Sequence, residues 1–422
     1  MLLLIVFFFI SIVALYWLHK KDIMSPSIVL CAVYLLCVLF AISNWDLWHL
    51  ETYSKEASTL IIIAIVTFSI TGLICSRVVL YRRKEIIMED TNKTKITEIK
   101  MSNIFILLNF IVCSFAIAWL NSITLGTSGA IGLSEAMTTQ IAIPFVLNVL
   151  GRYVRIQGYF FGFVLVNNVN TRKFILRDLW LVIFVSLTAL QSLVSGSRME
   201  IIKIIAFLLI ASYILWHKKN GWDRNISFKY IRIGTITLVV FFVLFYQMRY
   251  FKVGDSSGYS PLYYISLYIG APIKLLDLYL TNPIAPSSLF GQETFTTFNT
   301  NLASLGIIEH SVERHLEFRG IGSLGLGNVY GAIRRYYQDF GLMGMIILVG
   351  GMSFIFHKAY YSIRNDKSNL VDFKSILYCY IFTVIPMFPI DDIFYSELSI
   401  GYLINIALLY ILYLIFIKRT KI

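Results

Sequence analysis

Eleven apolar runs, most of them about 18 residues or longer, constrain this chain more than any other feature. They fall at roughly 2–18, 27–43, 58–75, 103–120, 140–166, 179–196, 200–216, 233–249, 339–357, 375–389 and 398–417. Inside a bilayer every backbone N–H and C=O needs a partner within the protein, so runs of this kind fold as helices. The expected class is therefore all-α, a polytopic membrane bundle of about 11 transmembrane helices. Composition agrees, with 58% hydrophobic residues, only 14% charged residues and a mean hydropathy of +0.74. The runs at 140–166, which contains arginines, and at 375–389, which is short, fit the pattern least well.

Lys and Arg accumulate in the cytoplasmic loops of membrane proteins, and here they alternate cleanly. One side receives HKK near Lys20, the Arg77–Lys100 stretch, TRKFILR around Lys173, HKKNGWDRNISFKYIR from His217, HKAYYSIRNDK from His357 and the KRTK tail. These segments hold roughly 24 of the 36 basic residues and about 9 of the 24 acids, so the net charge of +12 is cytoplasmic. Topology explains this distribution, and nucleic-acid binding is not needed. The amino terminus is expected outside and the carboxyl terminus inside. MLLLIVFFFISIVALYWLHKK carries its positive charge after the apolar run, the reverse of a signal peptide, so it is expected to stay as a span.

In sequence order the chain divides into eight helices over 1–249, one large outer loop over 250–338, and three helices over 339–422. The five cysteines, Cys31, Cys37, Cys75, Cys113 and Cys379, all lie in apolar segments. They form neither a disulfide framework nor a zinc-like spacing and read as packing residues. Within the loop region, Ser260–Leu280 mixes apolar and aromatic residues with Lys274 and Asp277. It is expected to lie at the membrane interface or to re-enter it, with a twelfth partial span as the alternative. Phe290–Gly306 suits a short helix. Gly320–Gly331, with five glycines around Asn328 and Tyr330, suits either close approach to a bulky ligand or an ordinary tight connection.

Several cations stand where charge is costly. Arg152 and Arg155 lie three residues apart in the fifth run, on one helical face, with Gln157 nearby. Two guanidiniums so placed suit a polyanion such as a pyrophosphate, while two shorter helices meeting at an aqueous boundary would also accommodate them. Arg198 follows the SGSR turn, Lys203 lies deeper in the next run, and Arg249 closes the eighth, each equally suited to snorkelling. In EHSVERHLEFR, Glu309, Glu313 and Glu317 repeat at helical spacing beside His310, Arg314, His315 and Arg319. A carboxylate or imidazole there suits general-base work and an Arg suits phosphate charge, against the plainer alternative of a solvated face. Neither the histidines nor the acids make a recognisable metal-ligand set. In NVYGAIRRYYQDFG, helical spacing groups Tyr330, Arg334 and Tyr337 on one face and Gly331, Arg335 and Asp339 on another, where Arg335 and Asp339 are placed to pair. Aromatic rings beside Arg and Asp suit a sugar surface as well as an interfacial anchor.

SGSR at Ser195–Arg198, YYISLYIGAP at Tyr263–Pro272, FGQETF at Phe290–Phe295 and NVYGAIRRYYQDFG at Asn328–Gly341 together resemble the Wzy-type family of O-antigen and capsule oligosaccharide repeat-unit polymerases. The resemblance covers most of the chain. It implies a metal- and cofactor-independent membrane enzyme of the large multispanning (GT-C-like) glycosyltransferase class, working at the outer face of the bacterial cytoplasmic (inner) membrane. Its substrates would be oligosaccharides carried on undecaprenyl pyrophosphate, and a chain-length regulator and a flippase would be partners. Carried onto this chain, the resemblance assigns His315 as general base, with Glu313 and Asp339 as rivals and Arg314 or Arg319 closing from the loop. Arg152, Arg155, Arg198 and Arg249 would clamp the pyrophosphate, and Tyr330, Arg334 and Tyr337 would hold the saccharide. An O-antigen ligase, using a lipid-core acceptor, and a lipid-linked oligosaccharide flippase or other transporter are the competing readings. Loss of a polymerase leaves single repeat units attached, whereas loss of a ligase leaves none. The asymmetric arrangement of spans and the scarcity of central charge weigh against a transporter.

Overall fold

A computed structural model describes the chain apart from residues 85–97, 129–143, 195–198, 225–227, 248–257, 310–313, 367–370 and 419–422. About 75% of it is helical and almost none is sheet, the build of an all-α membrane protein. The helices are Leu2–Leu18 (α1), Pro26–Ile42 (α2), Lys55–Lys84 (α3), Asn103–Ser128 (α4), Phe145–Thr171 (α5), Leu179–Val194 (α6), Met199–Asn220 (α7) and Phe228–Gln247 (α8). They continue with Pro261–Ile269 (α9), Ala271–Thr281 (α10), Thr296–Ser304 (α11), Gly331–Arg364 (α12), Phe373–Phe382 (α13), Val384–Met387 (α14) and Ile400–Tyr413 (α15). A small antiparallel hairpin, Arg319–Ile321 (β1) with Leu324–Gly327 (β2), precedes α12. Each of the eleven apolar runs carries a helix. Among the described residues six are long and apolar enough to cross a membrane: Lys55–Val78, Asn103–Ile123, Leu176–Val194, Met199–Asn220, Gly331–Arg364 and Ile400–Lys418.

The chain forms two compact units, each assembled from three stretches. The first comprises 1–89, 259–365 and 384–402; the second comprises 90–258, 366–383 and 403–422. In the first unit α12 packs along α3, α2 packs against α1 and α3, and α10 packs against α2, α3 and α12. Close approach of α3 and α12 depends on Gly72, where an added Cβ would stand 2.4 Å from His357 Nε2. At that level Ser353 Oγ donates to Phe68 O at 2.5 Å, and the His357 ring bonds Ser27 Oγ at 2.9 Å. Polar groups collect at two ends. At one, Asp22 takes Arg364 Nη1 and the Tyr360 hydroxyl, both at 2.8 Å. At the other, Lys274 Nζ donates to Asp277 at 2.8 Å and to His49 O at 3.3 Å, while Asp277 accepts Ser54 N at 2.9 Å.

In the second unit α5 is one continuous helix through Arg152 and Arg155, so these residues do not mark a join between two shorter helices. A satisfied polar chain ties it to α4 and α6. Asn109 Nδ2 donates to Gln157 Oε1, and Gln157 Nε2 donates to Phe184 O and to the Thr188 hydroxyl.

Two expectations are corrected, for the run at 375–389 and for the Glu309–Glu317 stripe, and the Ser260–Leu280 segment gains detail. The run at 375–389 is two helices, α13 and α14, interrupted at Thr383. Pro386 offers no N–H to the Phe382 carbonyl and its ring crowds that residue, which is sufficient to break the ladder there. The Ser260–Leu280 segment is a helix pair broken at Gly270. Its second half packs against α2, α3 and α12, and a Cβ at Gly270 would meet Ala41 N at 2.6 Å. The described part of the Glu309–Glu317 stripe is not helical: residues 314–318 are neither helix nor strand and lead into β1.

The long helix α12 bends at Gly341, whose φ of 63° and ψ of −164° leave the helical region. Residues 331–340 are thus a separate short helix ahead of the apolar stretch. Its first N–H groups are met by backbone carbonyls: Gly331 N donates to Ile390 O and Ala332 N to Phe388 O, both at 3.0 Å. Gly331 has φ +75, and an added Cβ would lie 2.7 Å from Pro389 O, whereas a Cβ at Gly341 (φ +63) meets nothing within 4 Å. A left-handed φ costs a non-glycine residue about 1–2 kcal/mol, and forced overlap in packed surroundings adds about 1–3 kcal/mol. Gly331→Ala is therefore expected to lower the thermal unfolding temperature in detergent; an unchanged temperature would refute this account of the Gly331 turn.

Candidate functional site

The site is built around one carboxylate. Glu293 lies in the turn ahead of α11, its side chain wholly excluded from solvent. Burial of an isolated carboxylate is prohibitive, so the charge has to be matched locally. Arg335 Nη1 donates to Glu293 Oε2 at 2.7 Å, and Arg334 Nη1 approaches the same oxygen at 3.4 Å. The other oxygen, Oε1, accepts the His315 backbone N at 2.9 Å and stands 2.7 Å from His315 Nδ1. Consecutive arginines at the start of α12 thus reach one acid from a distant turn, and that acid grips the loop's histidine.

A second carboxylate extends the lattice. Asp391 Oδ1 accepts Arg335 Nε at 2.8 Å and Arg314 Nη2 at 2.6 Å, joining the loop and α12 to the segment after α14. Burial pushes the Asp391 carboxyl up. The guanidiniums of Arg335 and Arg314 outweigh it and hold the group below its ordinary value of 3.8. Arg334 Nη2 reaches Glu317 at 3.3 Å, and the guanidinium lies over the Tyr330 ring at 4.6 Å and the Tyr279 ring at 5.1 Å. Arg319 donates to Leu278 O at 2.6 Å and approaches Glu317 at 3.5 Å. Tyr330 holds the loop from beneath, its hydroxyl donating to Glu317 O at 2.8 Å.

Asp339 plays a supporting part. Its carboxylate accepts Ser287 Oγ at 2.6 Å, Thr294 N at 2.7 Å and Glu293 N at 3.1 Å, and so fixes the turn that presents Glu293. The expected pairing of Arg335 with Asp339 is replaced, because Arg335 turns toward Glu293 and Asp391 instead. Asp339 is thus engaged by two backbone amides and one hydroxyl. Asp392 is likewise structural, accepting the Tyr336 hydroxyl at 2.9 Å and Phe394 N at 3.0 Å.

The chemically open group is His315. With Nδ1 on Glu293, the neutral ring carries its proton there and leaves Nε2 as the acceptor. The side chain is 34% exposed, in contrast to the sealed carboxylate behind it. Arg314 and Arg319 flank it in sequence. The Nε atoms of Arg314 and Arg334 are buried and have no hydrogen-bond partner among the described residues. Together these provide an imidazole able to take a proton beside guanidiniums able to stabilise anionic charge.

Of the residues singled out in the sequence, Arg314, His315, Arg319, Tyr330, Arg334 and Asp339 come together in the first unit. Arg334 is fully buried and supports the site instead of lining a surface. Tyr337 is half-buried on the same helix and, among the described contacts, joins none of these ion pairs. Arg152 and Arg155 belong to the second unit, where Arg155 approaches Glu200 at 3.9 Å and the Tyr159 hydroxyl donates to that same acid at 2.5 Å. Glu313, Arg198 and Arg249 lie outside the described residues. Sequence reasoning missed the roles of Glu293, Arg335 and Asp391. Glu293 stood in the FGQETF segment, and Asp391 in the short acidic loop IDD after the tenth apolar run.

The Asp391 side chain is 19% exposed, and removing the charged partner of such hydrogen bonds costs about 1.5–3 kcal/mol. Asp391→Asn is expected to lose stability of that order near neutral pH. Because the native carboxyl is held below its ordinary value, its stabilisation is present above 3.8 and disappears as pH falls through the folded value. Thermal unfolding of the wild type should therefore weaken on acidification more steeply than that of Asp391→Asn; parallel curves would mean that Asp391 contributes no charge-dependent stability.

No protein-family model, curated protein or solved structure matches this chain.

Proposed function

We propose that this chain is a polytopic glycosyltransferase that joins undecaprenyl-pyrophosphate-linked oligosaccharide repeat units into O-antigen or capsular polysaccharide. The reading takes the eleven apolar runs as spans, with the amino terminus outside and the carboxyl terminus in the cytoplasm of a bacterial inner membrane. One observation carries it: a solvent-reachable imidazole, His315, held at Nδ1 by a sealed carboxylate that also takes Arg334 and Arg335.

A sugar hydroxyl of the incoming unit donates to His315 Nε2. As its oxygen bonds to the anomeric carbon of the growing chain, the hydroxyl proton passes to the imidazole, and Glu293 stabilises the resulting cation. The bond from the anomeric carbon to the carrier's phosphate oxygen breaks, and the pyrophosphate leaves with the electron pair. Arg314 and Arg319 offset the charge growing on that oxygen. The imidazolium then returns its proton to water.

Purified protein given lipid-diphosphate repeat units should produce a ladder of longer glycans; a persistent single-unit band would overturn the proposal. His315→Ala, checked for normal folding by gel filtration in detergent, should slow ladder formation by about 10²–10⁴-fold, the usual worth of a positioned general base. Unchanged rates would remove His315 from the chemistry. Transfer of a preformed glycan to a lipid core, without elongation, would favour the ligase reading.

A further inference from the structure

The turn that presents Glu293 also carries Phe290, a large ring left 80% exposed on a loop. Its neighbours set its depth. Phe290 meets Phe340 edge to face with ring centroids 4.9 Å apart, and Phe340 directly precedes the Gly341 kink. Beyond the kink runs the apolar part of α12, whose Met343 and Ile347 are each 69% exposed and lie one turn apart. On a helix long and apolar enough to cross a membrane, such side chains face hydrocarbon. The far side of the same turn reaches deeper still. Phe295 packs on Tyr395 at 5.8 Å, and the Tyr395 hydroxyl donates to Leu348 O at 2.8 Å, well past the kink. The 290–295 turn therefore stands beside the first turns of a membrane-crossing helix and not above them.

We infer that Phe290 seats this turn in the lipid leaflet on the loop's side of the membrane, with its ring against acyl chains near the hydrocarbon boundary. Continuity with the exposed Met343 and Ile347 surface selects lipid as the occupant. A protruding aromatic ring at that depth gains from hydrocarbon contact and has no polar tip to keep wet. The physical consequence is that Glu293, three residues along, is held at the membrane boundary, so the site opens at the level where lipid-borne headgroups lie. The inference concerns lipid contact alone and does not depend on the reaction.

The test is made on the full chain in vesicles free of substrate. Phe290→Cys carries an environment-sensitive fluorophore, with wild type labelled in parallel because its described thiols are all buried. Ile347→Cys serves as the lipid-facing reference, and Ser323→Cys, at the hairpin tip, as the aqueous one. Phosphatidylcholine brominated on its acyl chains should quench the label at Phe290→Cys comparably to Ile347→Cys, while aqueous iodide should act mainly on Ser323→Cys. Phe290→Trp, which keeps an aromatic ring against Phe340, should show added bromolipid quenching over the native tryptophans. Quenching by iodide instead would overturn the inference. So would silence with both quenchers, the result expected if a second copy of the chain covered the ring.

Discussion

The site depends on a carboxylate sealed from water. Glu293 is stable in that position only because Arg334, Arg335 and the His315 amide and ring converge on its two oxygens. Each of those partners would be costly to bury alone, so the group assembles together or not at all. The arrangement ties the turn before α11, the non-helical loop and the head of α12 into one rigid corner. Asp391 adds the segment after α14 to the same lattice through Arg314 and Arg335. The imidazole of His315 is the member left partly open, and its orientation is inherited from groups that solvent does not reach.

Backbone geometry makes that convergence possible. The head of α12 starts on the carbonyls of Phe388 and Ile390, then turns at Gly341 before the apolar stretch begins. A straight helix would carry the arginine pair along the axis of the span; the kink frees residues 331–340 to take their own direction. Beneath them, the buried Lys274–Asp277 pair fastens α10 to the chain near His49 and Ser54. A long connection between spans is in this way bonded into the fold along much of its length.

Much of the site was legible from residue type. Guanidiniums, a histidine and tyrosines clustered between 314 and 337 stood out because such side chains suit anionic, saccharide-bearing substrates. Their partners were not legible. Helical spacing offered Asp339 to Arg335, yet the acids that Arg335 uses lie 42 and 56 residues away in sequence. The Glu309–Glu317 spacing suggested a helical stripe, but Glu317 instead sits in a non-helical segment against Arg334 and Arg319. Periodicity reports neighbours along one helix, and this loop takes its order from contacts between segments.

The chain by itself determined that it is a helical membrane protein. Unbroken apolar runs leave backbone groups no solvent partner, and the helix is the solution each run can reach alone. It also determined which residue types crowd the long connection. Only the tertiary structure decided that Glu293 and Asp391 hold the arginines, that Asp339 braces a turn, and that Glu293 holds the His315 ring at Nδ1. Those outcomes follow from the matching of buried charge across distant segments, which depends on three-dimensional proximity and leaves no period in the sequence.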